Sequence, residues 1–110
     1  MMFGKKKPLA GEIDVSNYDF LSRSLEFARL WAEPEAGMTA IIEPRNLGAD
    51  PFLFGMALVD AARHGAKAYA HAVNIPEEDA MTRIWEGLDA ERANPTDDPR
   101  EIDLGGSTPS

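Results

Sequence analysis

Asp60, Arg63, His64, Lys67 and His71 place a carboxylate, two cations and both histidines of the chain within one short window. At about 100° per residue they share roughly one third of a helix circumference. Two kinds of chemistry use such a set. A carboxylate one turn before a histidine can orient it for proton transfer, and a carboxylate with two imidazoles can grip a divalent metal. The spacing opposes the metal. His64 and His71 are separated by two turns, about 10 Å along the axis, and Arg63 and Lys67 would raise the cost of a cation beside them. The five residues are therefore read as a candidate binding face, in competition with a plain solvated surface on which Asp60 pairs with Arg63 or His64.

No catalytic residue, metal site or cofactor is expected from the rest of the chain. The sequence holds no Walker-type phosphate loop, no Gly-x-Gly-x-x-Gly, no Gly-x-Ser-x-Gly and no zinc-ligand spacing. It has no cysteine, which removes disulfides, thiolate ligands and a cysteine nucleophile. Ser22 and Ser24 have no adjacent histidine in sequence. Arg45 with the amides opening the following helix could hold an anion, but Asp50 competes for those amides.

The element that carries the polar face is the clearest in the chain. Asp50 is an N-cap and Pro51 a first helical residue, opening a helix that continues to about Val73. Opposite the polar face, Ala57, Ala61, Gly65, Ala68 and Ala72 form a narrow stripe of small residues, a candidate helix-packing surface. Phe54, Leu58, Tyr69 and Val73 lie beside it, on what is taken as the core side. A helix follows from about Pro76 to Ala93, with Glu77, Glu78 and Asp79 in its first turn and an apolar stripe of Met81, Ile84, Trp85 and Leu88. Upstream, Phe20, Leu21, Leu25, Phe27, Ala28, Trp31 and Ala32 fit one face of a helix from Asn17 or Asp19 to Glu33, with Trp31 as a core anchor and Pro34 and Gly37 ending it.

Between these helices, Met38 to Glu43 is the best strand, with Ile41 and Ile42 adjacent and Pro44 closing it. A strand needs a partner. The candidates are residues 12–15, the Glu101 to Leu104 segment, or another copy of the strand. The predicted fold is α+β, three main helices and a small sheet, with the main elements in the order α-β-α-α. Residues 1–10 read as a disordered basic tail, 11–96 as a single domain, and 97–110 as an acidic and then Gly/Ser/Pro-rich disordered tail.

A net charge of −8 is placed mostly in the last third, where ten acids from Glu77 onward face three arginines. That surface repels phosphate backbones and disfavours nucleic acid, while leaving room for a basic protein partner. No apolar run approaches the ~18 residues of a membrane span, and the N-terminal lysines lack the apolar stretch of a secretory signal. A cytoplasmic acidic protein is expected. Ordering so short a chain costs about as much as its apolar burial returns, so a partner subunit would help.

The segments Leu25-Glu26-Phe27-Ala28-Arg29-Leu30-Trp31-Ala32 and Leu58-Val59-Asp60-Ala61-Ala62-Arg63-His64-Gly65-Ala66-Lys67-Ala68-Tyr69-Ala70 resemble a family of small bacterial proteins known as a domain of unknown function. The likeness runs from about Val15 to Thr96. It implies an α+β domain of bacterial origin and brings no established activity and no catalytic residues. The function expected is that of a noncatalytic interaction or binding module, self-associating as a homodimer. The alternative is a ligand-binding or enzymatic subunit that uses the Asp60, Arg63 and His64 face.

Overall fold

The computed structural model describes residues 9–96. The fold is α+β: two strands, β1 (Ala28–Glu33) and β2 (Gly37–Ile42), followed by two helices, α1 (Pro51–Val73) and α2 (Glu77–Ala93). Short 3-10 turns at Asp19–Arg23 and Pro44–Asn46 precede β1 and α1. The proposed tails, apart from Leu9 and Ala10, and the candidate Glu101 to Leu104 strand lie outside the described residues.

α1 forms where its signals place it. The Asp50 carboxylate accepts the Phe52 amide at 3.0 Å, Pro51 takes the first helical position, and Asn74 ends the helix with a left-handed φ of 56°. Asp50→Ala removes the acceptor for one orphan amide, and thermal melting followed by circular dichroism should show a loss of about 1 kcal/mol, or roughly 4–8 °C in Tm. An unchanged melting temperature would mean the cap contributes nothing.

Three residues separate α1 from α2, and the two helices pack as a hairpin. Ala66 (0% exposed) and Ala80 (3%) are buried, and a methyl built on Gly65 would stand 3.7 Å from Ile84 Cδ1. Lys67 Nζ reaches Glu77 Oε2 at 3.1 Å and ties the hairpin near its turn.

The upstream helix is corrected. Only Asp19–Arg23 is helical there, as a 3-10 turn, and Ala28–Glu33 is a strand paired antiparallel with β2. Two α-helices are present among the described residues instead of three, and the main elements run β-β-α-α. Residues 12–15, the possible second strand, enter no sheet. The residues taken as helix terminators instead make a hairpin turn. Pro34 presets its first corner, Glu35 has a φ of 67°, and the Ala36 amide donates to the Glu33 carbonyl at 3.0 Å, the pattern of a type II turn. Gly37, with a φ of 96°, then opens β2 in a conformation that suits glycine. The strand expected at 38–43 is thus satisfied by a neighbour in its own chain.

The register pairs Ala28 with Ile42, Leu30 with Ala40, and Ala32 with Met38 on one face of the hairpin. Arg29 with Ile41, Trp31 with Thr39, and Glu33 with Gly37 occupy the other. Trp31, expected as a core anchor, is 37% exposed. The segment leading into β1 meets α1 through an edge-to-face contact of Phe27 with Phe54, ring centroids 6.4 Å apart, and meets the Pro44–Asn46 turn through the Asn46 side-chain amide, which donates to the Glu26 carbonyl. The described residues enclose no further core: Ala66 and Ala80 are the buried apolar residues, while nineteen large apolar side chains are exposed.

Candidate functional site

α1 carries Asp60, Arg63, His64, Lys67 and His71 on one broad surface, and the structure divides them. His64 Nε2 stands 3.6 Å from Asp60 Oδ2, one turn apart, with both side chains more than two-thirds exposed. That separation suits an ion pair once the imidazole is protonated, and it exceeds hydrogen-bonding distance. Water has free access, so nothing raises the interaction above that of a surface pair. His71 is exposed one helical turn from Lys67. Among the described residues, no group of three histidine, cysteine or acidic side chains converges as a metal centre would require.

Arg63 and Lys67 turn instead toward α2. With Pro76, Glu77, Glu78, Met81, Thr82 and Trp85 they line an open groove of about 880 Å³ between the helices. Its floor comes from Met81 and Trp85, both half-buried. Lys67 is held by Glu77, whereas Arg63 has no carboxylate within ion-pair distance among the described residues. Met81 and Trp85 as groove-lining residues escaped the sequence reading, which placed the α2 stripe wholly in the core. The signal was the short connection at Asn74 to Pro76, which sets the polar flank of α1 beside that stripe.

The small-residue stripe is distributed unevenly. Gly65 faces Ile84, Ala57 is half-buried, and Ala61, Ala68 and Ala72 are exposed. The neighbouring face is the more buried one, with Ala62 and Gly65 half-buried and Ala66 fully buried. Tyr69, assigned to the core side by its place on the helical wheel, is 57% exposed because α2 lies along the other flank.

Arg45 is engaged rather than free for an anion. Its Nε and one terminal nitrogen meet the Glu43 carboxylate at 2.8 and 2.6 Å, and its backbone amide donates to the same group at 3.0 Å. These bonds, the guanidinium's first and the amide's second, hold the Glu43 carboxyl down at about 2 against an ordinary 4.5. A depressed folded-state value stabilises the fold above the unfolded value, and that contribution fades as pH falls through the folded one. Glu43→Gln should therefore lower Tm at pH 6, and the difference should shrink below pH 4.5 and be largely lost by pH 2. A pH-independent difference in melting would show that the pair is not its source.

The described residues contain no helix long and apolar enough to cross a membrane. No curated protein matches the chain. A solved structure from the photosynthetic bacterium Rhodopseudomonas palustrus CGA009, provisionally named a pyruvate dehydrogenase, is similar to it, with 30% sequence identity and a TM-score of 0.58. The match covers 94% of this chain and 98% of that one. The family model described as Domain of unknown function (DUF5076) matches residues 19–96, in agreement with the resemblance to a domain-of-unknown-function family. With most of its length inside that match, the chain belongs to the DUF5076 family of small domains of unknown function.

Proposed function

We propose that this domain is a noncatalytic interaction module that folds and works as a homodimer. One observation carries the reading: the buried apolar residues of the described chain are two alanines, while nineteen large apolar side chains face solvent. Burial of apolar area is the main term that opposes chain entropy, and two buried alanines with half-buried Phe27, Ile41, Ile42, Phe54, Met81, Ile84 and Trp85 supply little of it. A second copy is present whenever the first is, so it supplies the missing cover without a dedicated partner.

Light scattering after size exclusion, at several concentrations of the full chain, tests this. The expected mass is twice the 12.0 kDa of one chain, with an unfolding midpoint that rises with protein concentration. A 12.0 kDa particle with a cooperative, concentration-independent transition would overturn the reading.

A second reading, a small-molecule binding subunit, is favoured by Arg63 alone. In a chain with 19 acids against 11 lysines and arginines, an arginine with no carboxylate within ion-pair distance among the described residues, beside Trp85, is suited to an organic acid, although Glu77 and Glu78 on the same groove oppose an anion. The name given to the Rhodopseudomonas protein makes pyruvate the first probe. Saturable heat on titrating pyruvate, lost in Arg63→Gln, would support this reading. Absence of any heat at millimolar pyruvate would sink it for that acid. The open groove excludes little water, so binding is better supported than catalysis.

A further inference from the structure

We propose that the first turns of α1 in one copy pack over the apolar face of the β1–β2 sheet in the other, and that the exchange is reciprocal. This assignment of the interface rests on the homodimer reading above. It starts from the sheet. Ala28, Leu30, Ala32, Met38, Ala40 and Ile42 share one face, which contains no polar side chain. Leu30 is 58% and Met38 66% exposed on it. An isolated two-stranded hairpin is marginal in water and needs a helix or further strands against its apolar face.

The chain's own α1 does not meet that need. Phe27, its contact on the sheet side, has the strand parity of Arg29 and Trp31, opposite to that of Leu30; the Glu43 amide extends the ladder to the Phe27 carbonyl at 2.8 Å. On the helix, Phe54 makes this contact, and it lies about 160° around the axis from Phe52 and Met56. The helix thus spends one side on the wrong face of its own sheet and turns the other outward. That outward side is Phe52 (70% exposed), Met56 (57%) and Val59 (36%), an uncharged stripe at i, i+4 and i+7. One copy therefore carries a sheet face that is half-buried at Ala28 and Ile42 but exposed at Leu30, Ala32, Met38 and Ala40, and an exposed helix stripe, the two halves of a helix-on-sheet layer.

Area favours a reciprocal exchange over a single contact. Two strands of six residues present roughly 20 by 10 Å, or about 200 Å², and a single contact would bury some 400 Å² counting both sides. Stable interfaces bury about 1,200–2,000 Å². Two contacts related by a two-fold axis reach about 800 Å², about two thirds of that lower bound, so flanking exposed residues such as Leu53, Leu25 and Ile13 must supply the remainder.

The chain contains no cysteine, so single cysteines report contacts directly. Two differently tagged copies, one with Leu30→Cys and one with Met56→Cys, are co-expressed and oxidised. The expected result is a mixed disulfide on a non-reducing gel, at least fivefold above that from Leu30→Cys paired with Tyr69→Cys. Leu30→Cys with itself tests sheet-on-sheet packing, and Leu30→Cys with Ile13→Cys tests an N-terminal segment as the cover. A scattering mass of two chains with either of these products dominant, or with none of the three formed, overturns the helix-on-sheet exchange and leaves self-association standing. A mass of one chain throughout overturns both.

Discussion

A chain carrying Leu30→Lys and Met38→Lys is expected to run as a monomer at concentrations where the parent chain is fully dimeric, and to lose its cooperative thermal transition. Both residues lie on the sheet face that has no polar side chain, on adjacent cross-strand pairs, and both are more than half exposed in the single chain. Burying a leucine or methionine side chain contributes about 1.5–3 kcal/mol, and each substitution occurs twice in a symmetric dimer. Lysine stems recover part of that by lying along apolar surface with the ammonium in water. The net expected loss is still upward of about 4 kcal/mol, or about a thousandfold in Kd. Arg29→Gln on the opposite face is the matched control. Its partner Glu26 is an exposed i, i+3 neighbour at 2.8 Å, an ion pair of the sort that contributes ~0–1 kcal/mol, so the particle should remain dimeric. Light scattering and far-ultraviolet dichroism on the three proteins decide the matter. A dimeric double-lysine variant with the parental melting curve would remove the sheet face from any interface.

The contrast between the two halves of the chain shows which signals are local. α1 was legible because its start depends on adjacent residues: Asp50 caps, Pro51 lacks an amide that would have no partner there, and both act before any tertiary contact exists. The same holds for α2, whose three acids occupy the turn where the helix dipole favours them. β1 was not legible because Ala28 to Glu33 satisfies two periods together. Leucine, arginine, glutamate and alanine are good helix formers, and the apolar residues fit a helical face. Ala28, Leu30 and Ala32 also alternate at the period of a strand. Choosing between them takes information from elsewhere, the demand of β2 for a neighbour and the turn at Pro34 and Glu35 that delivers one. That demand was visible in the sequence; the neighbour was hidden by its helix-forming residues.

The candidate site divides along the same line. Sharing a helix face is a property of spacing, so Asp60 and His64 do come within 3.6 Å of each other. What a helix lies against is not. The position of α2 along one flank of α1 determines that Lys67 meets Glu77, that Arg63 borders a groove, and that Tyr69 and three alanines of the small-residue stripe stay exposed. The face that results carries exposed ion pairs open to water.

Where the helices do touch, substitution should have opposite signs at two adjacent positions. Ala66 is completely buried, and Ala66→Leu adds three carbons to a contact with no room for them. Overpacking of this kind costs about 1–3 kcal/mol, and the helices can escape it only by separating, which would also loosen the neighbouring contact of Gly65 with Ile84. Gly65→Ala should do the reverse. The added methyl would meet Ile84 Cδ1 at 3.7 Å, an ordinary van der Waals distance, and replacing glycine within a helix recovers up to about 1 kcal/mol of backbone propensity. Denaturant unfolding at fixed protein concentration should therefore place Ala66→Leu below the parent and Gly65→Ala above it, a spread of about 1–4 kcal/mol from neighbouring residues. Destabilisation by both would mean the hairpin is tighter at Gly65 than 3.7 Å implies, and indifference to both would mean that α1 and α2 do not pack along this face.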